Sequence, residues 1–219
     1  MPIHHRIAAG DSVSSLARRY GLMPETIWDA PENGELRERR EDMNTLLPGD
    51  VLVIPDKRAA AIKRSTGRAH RIRVKGTLAT LRMQVCDFGE PRASQDFVLT
   101  IGERVIKGTT DAKGILDVKV PVLATEGLLV IGEDGHSIGL MFGHLDPATE
   151  LSGVQQRLVN LGYTCHDPAG ELGESTQEAL RAFQRTHDLE VSGELDDDTR
   201  ARLIELHDGV VDSIPTGAS

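Results

Sequence analysis

The sequence has few aromatic residues, few cysteines and no long apolar run. Aromatic side chains make up 3% of the 219 residues, which argues against one large aromatic core and favours several small domains. The two cysteines, Cys86 and Cys165, fall in different predicted domains and form no Cys-x-x-Cys pair, so we expect two free thiols and no metal site. Because about 18 apolar residues never run together, we expect no membrane span. The sequence implies no cofactor.

Charge and motifs exclude further classes of function. The formal net charge of −9 argues against a general nucleic-acid binder. Residues 1–9 contain no apolar core of signal-peptide length, so we expect synthesis in the cytoplasm without a signal peptide. No His-x-x-x-Asp or His-Glu-x-x-His motif occurs, and the neighbours Cys165-His166-Asp167 would point apart on a loop. We therefore expect no catalytic residues and no enzymatic activity.

A stretch that occurs twice near the C-terminus predicts two units, each a turn followed by a helix. Each copy has a glycine for a turn at positive φ, a leucine to pack that turn into a core, and an apolar stripe at helical spacing. Asp196 is suited to cap the second helix, whereas Ser175 with Glu178 predicts a capping box in the first. Ser152 with Gln155 predicts another box before a third helix. The two copies are Gly170-Glu171-Leu172-x-x-x-Thr176-x-x-x-Leu180 and Gly193-Glu194-Leu195-x-x-x-Thr199-x-x-x-Leu203.

These helices belong to a longer motif. It runs Val154-Gln155-x-x-Leu158-x-x-Leu161-Gly162-Tyr163, then Gly170-x-Leu172-Gly173-x-x-Thr176-x-x-Ala179-Leu180-x-x-Phe183-Gln184, then Leu189-x-Val191-x-Gly193-x-Leu195-x-x-x-Thr199. The motif resembles the three-helix peptidoglycan-binding domain found beside cell-wall hydrolases. The resemblance implies a three-helix bundle over residues 148–208, whose glycopeptide surface includes Tyr163, Gly173, Thr176 and Gln184. In the structural alternative, Gly173 and Thr176 only shape the helix start and Gln184 is simply exposed.

The N-terminal segment combines a capped amphipathic helix with a closing strand. Asp11 or Ser12 can cap the helix, and Pro24 begins a second one. The motif residues are Ile7, Gly10-Asp11-Ser12-Val13, Leu16-Ala17-x-x-Tyr20-Gly21, Ile27 and Leu47-Pro48-Gly49-Asp50-Val51-Leu52-Val53-Ile54-Pro55. This set resembles LysM, a small βααβ domain that binds N-acetylglucosamine-containing glycans, and we assign residues 1–56 to it.

The resemblance to LysM also implies a shallow sugar groove. Trp28 is either a stacking platform for the sugar or a core residue. Ala30 stands where the family usually has an asparagine, and residues 31–44 form a longer, charged insertion, so both features put sugar binding in question. The implied groove residues are Gly10, Asp11, Ser12 and Val13 on one side, and Ala30, Pro31 and Glu32 on the other.

The middle of the chain changes its apolar period from helical to alternating. Over residues 71–147 short alternating stretches are separated by polar turns, which predicts a small β-sandwich. The turns include Asp87-x-Gly89-x-Pro91 and Gly108-Thr109-Thr110-Asp111-x-x-Gly114. They resemble the transthyretin-like or carboxypeptidase-regulatory-type β-domain, which implies a spacer or docking surface.

Two segments are predicted from composition to lie outside the domains. Residues 57–70 are rich in alanine and basic residues, which is typical of a linker. They form either a solvated hinge or a basic strip that contacts an anionic polymer or acidic partner. Residues 209–219 are predicted to be a disordered tail.

The whole chain is thus predicted to be an α+β multidomain protein with a βααβ module, a β-sandwich and a three-helix bundle. This arrangement resembles proteins beside type VI secretion and related contractile injection systems. The resemblance implies a non-enzymatic peptidoglycan-binding protein that is exported by a contractile apparatus to the periplasm or target cell and positions an effector or spike at the wall. In the alternative, the wall-binding folds no longer bind glycan and act as a docking adaptor or stabiliser for a toxin or spike. The motifs that carry this resemblance are Pro24-Glu25-Thr26-Ile27-Trp28, Pro31-Glu32-Asn33, Leu46-Leu47-Pro48-Gly49-Asp50-Val51, Gly143-His144-Leu145-Asp146-Pro147 and Ser152-Gly153-Val154-Gln155.

Overall fold

The computed structural model describes residues 1–40, 42–57, 78–87 and 89–209. Each of three successive regions has its own hydrophobic cluster: an N-terminal α/β region, a central β-rich region and a C-terminal helical region. The predicted α+β multidomain fold class is confirmed. From residue 58 onward the predicted basic linker lies outside the described residues, as does the predicted tail from residue 210.

The N-terminal region closes a two-stranded antiparallel sheet around short helices. Ile3 pairs with Ile54 and Arg6 with Val51, so the two strands lie side by side although they are far apart in sequence. The predicted insertion 31–44 contains a 3₁₀ helix and an additional α-helix, so the order is βααβ with one extra helix. The elements are β1 (Ile3–Arg6), α1 (Val13–Tyr20), α2 (Pro24–Trp28), the 3₁₀ helix (Pro31–Asn33), α3 (Gly34–Arg40) and β2 (Val51–Ile54).

Helix α1 has a capping box at its N-terminus and a glycine at its C-terminus. The Ser12 Oγ accepts a hydrogen bond from Ser15 N at 3.1 Å, and the Ser15 Oγ accepts one from Ser12 N at 2.9 Å. This reciprocal pair satisfies two donors that the first turn would otherwise leave unpaired. Gly21 ends the helix at φ +63°, where a side chain would be strained. The predicted cap at Ser12 is therefore confirmed, and α1 holds Val13 and Leu16 against the core.

The central region contains two larger sheets that share one core. One antiparallel sheet has four strands in the order β10 (His136–Met141), β9 (Glu126–Ile131), β6 (Asp96–Ile101) and β7 (Arg104–Thr109). In the other, β3 (Leu78–Gln84) pairs antiparallel with β8 (Ile115–Pro121). Phe97 and Leu129 from the first sheet join Leu116 and Val120 from β8 in a single cluster. Two short strands of this region, β4 (Cys86–Asp87) and β5 (Glu90–Pro91), pair with each other.

The C-terminal region consists of three helices: α4 (Leu151–Asn160), α5 (Glu174–Thr186) and α6 (Asp197–His207). The predicted cap of α6 is confirmed, because Asp196 Oδ1 accepts a hydrogen bond from Thr199 N at 2.7 Å. The capping box predicted from Ser175 and Glu178 is wrong. Helix α5 has Gly173 as its N-cap, two residues before Ser175, and its first turn is capped by Asp167, whose Oδ2 accepts from Thr176 N at 2.7 Å.

The capping box predicted from Ser152 and Gln155 is also wrong, because Gln155 points into the helical region. Its Oε1 accepts from Gly170 N at 2.8 Å, and its Nε2 donates to Glu171 O and to Thr176 Oγ1, both at 3.0 Å. One side chain on α4 therefore holds both the Gly-Glu turn and the start of the next helix. We call this arrangement a glutamine clamp.

The second copy of the sequence repeat has the same clamp. The Gln184 Oε1 accepts from Gly193 N at 2.9 Å, and its Nε2 donates to Glu194 O at 2.9 Å and to Thr199 Oγ1 at 3.0 Å. A buried amide that satisfies both a donor and acceptors is stabilising. The clamp explains why Thr recurs at the same spacing, since its hydroxyl is a partner, while Gly recurs because Gly170 and Gly193 adopt φ +83° and +79°. The repeat in the sequence is a repeat of this hydrogen-bond pattern.

The two leucines of the repeat differ. Leu195 packs against the helical core as predicted, whereas Leu172 is 46% exposed. The prediction that Leu172 anchors its turn in the core is therefore wrong. The glutamine clamp fixes that turn without it, which leaves an apolar side chain at the surface beside α5.

Candidate functional site

The first candidate segment, Gly10 to Val13, forms the corner between β1 and α1. Val13 is fully buried and Asp11 is 8% exposed, so both side chains face the domain interior. Ser12 is engaged as the cap of α1, and Gly10 adopts φ +88°. A ligand on this corner would therefore meet the exposed edge of Gly10 and Ser12, while Asp11 and Val13 shape the corner from beneath.

A polar network holds Asp11 in place. Its Oδ2 lies 3.0 Å from His5 Nε2 and accepts from Ala8 N at 3.1 Å, and its Oδ1 accepts from Arg19 Nη2 at 3.3 Å. The Tyr20 hydroxyl lies 3.3 Å from the other ring nitrogen of His5. Burial acts to raise the pKa of Asp11, but the hydrogen bonds of His5 and Ala8 and the charge of Arg19 outweigh it and leave this pKa below its usual range. Asp11 thus positions the corner as an ionised carboxylate.

The second candidate segment, Ala30 to Glu32, lies where α2 passes into the 3₁₀ helix. Ala30 is buried, whereas Pro31 and Glu32 are exposed. Trp28 is half-buried and packs against the N-terminal core, in line with the core alternative. Of this segment, Pro31 and Glu32 are thus the residues that present side chains to solvent.

Asn33 is a residue that sequence reasoning missed. Its Nδ2 donates to Ile27 O at 2.7 Å and to Val53 O at 2.8 Å, and its Oδ1 accepts from Val53 N at 2.8 Å. It is 1% exposed and ties the end of α2 to β2. The sequence interpretation looked for an asparagine at position 30, but the asparagine that fixes this segment follows three residues later.

Arg40, within the insertion, was also missed. Its Nε donates to Asp50 Oδ2 at 2.8 Å and its Nη2 to Asp50 Oδ1 at 3.2 Å. Its Nη1 donates to Glu150 Oε1 at 2.8 Å. The hydrogen bonds that Arg40 donates to Asp50 raise the pKa of Arg40 most, burial opposes them, and Glu150 adds to the increase. The insertion therefore contributes a buried cation that joins the N-terminal region to residues just before α4.

In the helical region the four candidate residues separate into two groups. Thr176 and Gln184 are both 0% exposed and belong to the glutamine clamps. Direct contact of these two side chains with a glycan outside the domain is therefore not supported. Gly173 and Tyr163 are half-buried and reach the surface.

Gly173 lies at the start of α5, and the segment that begins at Tyr163 runs along this helix. Gly173 is a glycine because a Cβ there would collide with the Asp167 carboxylate that caps α5. Ser175 Oγ donates to Thr164 O at 3.4 Å, which brings the segment after Tyr163 beside this helix start. Gly173 and the exposed Leu172 thus lie at the start of α5, whereas the Tyr163 ring contacts Phe183 and His187 near the end of this helix.

The Tyr163 side chain is supported by two neighbouring rings, those of Phe183 and His187. Its ring packs edge-on against Phe183 with centroids 5.5 Å apart, and its hydroxyl lies 3.3 Å from His187 Nε2. Burial lowers the pKa of His187, with Arg202 adding to the decrease and Asp188 opposing it, so this imidazole is neutral near pH 7. A neutral ring pair supports Tyr163 without introducing charge.

Several chemical roles find no support in the described residues. Within residues 1–40, 42–57, 78–87 and 89–209, no three His, Cys, Asp or Glu side chains converge as metal ligands would. Burial raises the pKa of the Cys165 thiol and Asp167 raises it further, which opposes formation of a nucleophilic thiolate. None of the helices described for this chain has the length and apolar character needed to cross a membrane.

Comparison with known families gives two matches. Residues 5–55 match the family model of the LysM domain, and residues 147–203 match the model described as "Putative peptidoglycan binding domain". Searches among curated proteins and among solved structures found no match. The resemblances to LysM and to the three-helix peptidoglycan-binding domain are thus confirmed, and the chain carries two domains of the peptidoglycan-binding kind. Neither matched domain is a catalytic one. We refer to them as the LysM domain and the helical domain.

Proposed function

We propose that the protein binds peptidoglycan without enzymatic activity, and that it positions an effector or the spike of a contractile, type VI-like secretion apparatus at the cell wall. The single observation that carries the binding part is the presence of two domains of the wall-binding kind in one chain. Two linked modules on one polymer gain avidity, because the second contact forms at a high effective concentration.

The geometry suggests which surfaces would take part. In the LysM domain, an N-acetylglucosamine-containing glycan would lie on the corner of Gly10 and Ser12 and on the exposed Pro31 and Glu32. In the helical domain, the surface of Tyr163 would offer a ring edge for sugar packing. Because the net charge of −9 would repel an anionic wall polymer, binding must depend on hydrogen bonds and packing.

The delivery part of the proposal rests on the resemblance of motifs across the chain to proteins found beside contractile systems. Under it, the protein is made in the cytoplasm and carried by the apparatus to the periplasm or the target cell. The central β-rich region would then act as the spacer that separates two binding surfaces or docks the cargo.

Co-sedimentation of the full chain with purified sacculi tests the binding part. We expect the protein to pellet, and we expect an added N-acetylglucosamine tetramer to release a fraction of it by competing at the LysM domain. A chain that stays in the supernatant would contradict peptidoglycan binding. A chain that pellets but ignores the tetramer would assign binding to the helical domain alone.

A second candidate function is supported by the burial of Thr176 and Gln184 and by the contact that the chain itself makes with Gly10. Under this alternative the domains are docking surfaces for a toxin or spike and no longer read glycan. It predicts stoichiometric co-purification with such a partner together with absence of binding to sacculi. A solitary protein that pellets with sacculi would contradict it.

A further inference from the structure

The segment from Gly143 to Glu150, which joins the central region to α4, touches the LysM domain at two points. At the first, a Cβ placed on Gly143 would lie 2.7 Å from Gly10 O and 3.2 Å from Gly10 C. Next to it, a Cβ placed on Gly10 would lie 3.4 Å from His144 Nε2. The two backbones therefore meet without room for a side chain on Gly143, and they meet at the corner that carries the first candidate segment.

The second point is the ion pair of Glu150 with Arg40. Arg40 is 9% exposed, and Asp50 fixes its guanidinium from the LysM side through two hydrogen bonds. Since these bonds orient the planar group, its remaining Nη1 is aimed at Glu150, 2.8 Å away. The contact is thus made by a cation that is already held in place.

The same segment is fixed to the helical domain. Asp146 N donates to Gln156 Oε1 at 2.6 Å, and Asp146 O accepts from Arg157 Nη1 at 2.8 Å. Gly153 on α4 lies so close to Pro147 that a Cβ there would collide with the Pro147 carbonyl. What docks on the LysM domain is therefore an extension of the helical domain.

We propose that residues 143–150 form a clasp that docks the LysM domain onto the helical domain and closes the Gly10 side of the candidate glycan corner. A sugar would reach this side only when the clasp opens. The measured affinity of the LysM domain for the sugar would then be its intrinsic affinity multiplied by the fraction of molecules in which the clasp is open. The gating part of this inference rests on the proposed function, whereas the docking part does not.

Two matched pairs of variants in the full chain test the clasp. Glu150→Lys places a cation opposite Arg40, and Glu178→Lys makes the same charge change at an exposed position on α5. Gly143→Ala inserts a Cβ against Gly10 O, while Gly135→Ala inserts one at φ +67° with nothing within 4 Å. The glycine pair leaves charge unchanged and shares the strain of a positive φ, so only the contact differs.

The first measurement is amide hydrogen exchange at residues 8–13 and 143–146. We expect exchange there to accelerate about tenfold in Glu150→Lys, because loss of a hydrogen bond between charged groups shifts the closed state by about that factor. We expect a similar acceleration in Gly143→Ala, because its Cβ would collide with Gly10 O. The controls should match the wild type. Equal exchange in all five proteins would show that the clasp does not form in solution and would overturn the proposal.

The second measurement is titration with a soluble N-acetylglucosamine tetramer, which is uncharged and so does not respond to the charge change itself. We expect the two clasp variants to bind it about tenfold more tightly than the wild type and the controls. Faster exchange with unchanged affinity would overturn the gating while leaving docking in place. Faster exchange without sugar binding in any variant would overturn both the gating and the LysM part of the proposed function.

Discussion

Charged side chains hold the loops beside the candidate corner in the LysM domain, whereas neutral amides hold the two turns of the helical domain. Asp11 with Arg19, and Arg40 with Asp50, fix the first set. The glutamine clamps of Gln155 and Gln184 fix the second. Ionic contacts respond to pH and to neighbouring charges, whereas amide contacts do not. One of the ionised groups that hold the LysM loops, Arg40, also contacts Glu150 and so links this domain to another part of the chain.

The largest effect is expected from breaking a clamp. Gln184→Ala leaves the buried Gly193 N and Thr199 hydroxyl without their partner and creates a cavity, so we expect the helical domain to lose about 3–4 kcal/mol of unfolding free energy. Exchange of slowly exchanging amides in α5 and α6 measures this. Gln177→Ala, on the same helix but half-buried, should cost under about 1 kcal/mol. Equal losses in both variants would contradict the role given to the clamp.

The next largest effect is expected from removing an ionic contact in the LysM domain. Asp50→Asn removes the charge that faces the buried Arg40, while Glu150 still neutralises part of it, so we expect the LysM domain to lose about 2–3 kcal/mol. Trp28 is the only tryptophan and packs on the LysM core, so its fluorescence during urea unfolding reports this domain alone. Asp29→Asn, which breaks an exposed ion pair with Arg37, should change the same midpoint by less than about 0.5 kcal/mol.

The ability of the sequence to predict these contacts depended on their range along the chain. The spacing of Gly, Thr and Leu in the repeat predicted two helices, and the Ser12 cap followed from residues only three apart. The same patterns misassigned Gln155, because a short polar motif satisfies the rule for a cap whether its side chain turns outward or inward. Local spacing identifies an element but not the direction of each polar side chain.

Contacts between distant residues had no signal in the sequence. Arg40 and Glu150 lie 110 residues apart, and each occurs in a stretch of charged or polar residues that is usual at a surface. The approach of Gly143 to Gly10 could not be predicted from the sequence either, because both glycines can also be explained by positive φ in a turn. The candidate residues of the LysM corner could thus be proposed from the sequence, whereas the contact of Gly143 and His144 with Gly10 required the structure.

A smaller effect, which depends on pH, is expected from Asp11, whose ionic contacts hold the LysM corner. The pKa of Asp11 is lowered in the folded protein, so its contribution to stability is present above its unfolded pKa of about 3.9 and is lost as the pH falls through the folded value. We expect Asp11→Asn to cost about 1–2 kcal/mol near neutral pH and progressively less below about pH 4. Urea unfolding followed by Trp28 fluorescence at several pH values measures this difference, and a cost that stays constant down to about pH 2 would argue against an ionised Asp11 as the support.

The smallest effect compares the two copies of the repeat with each other. Because Leu172 is 46% exposed, Leu172→Ala should cost the helical domain less than about 0.5 kcal/mol, whereas Leu195→Ala, which removes a side chain packed on the core, should cost about 1–2 kcal/mol. Amide exchange in α5 and α6 provides the measure for both. If Leu172→Ala leaves stability intact but weakens pelleting with sacculi, its exposure serves binding. Equal stability losses for the two leucines would show instead that Leu172 packs in solution as the sequence pattern predicted.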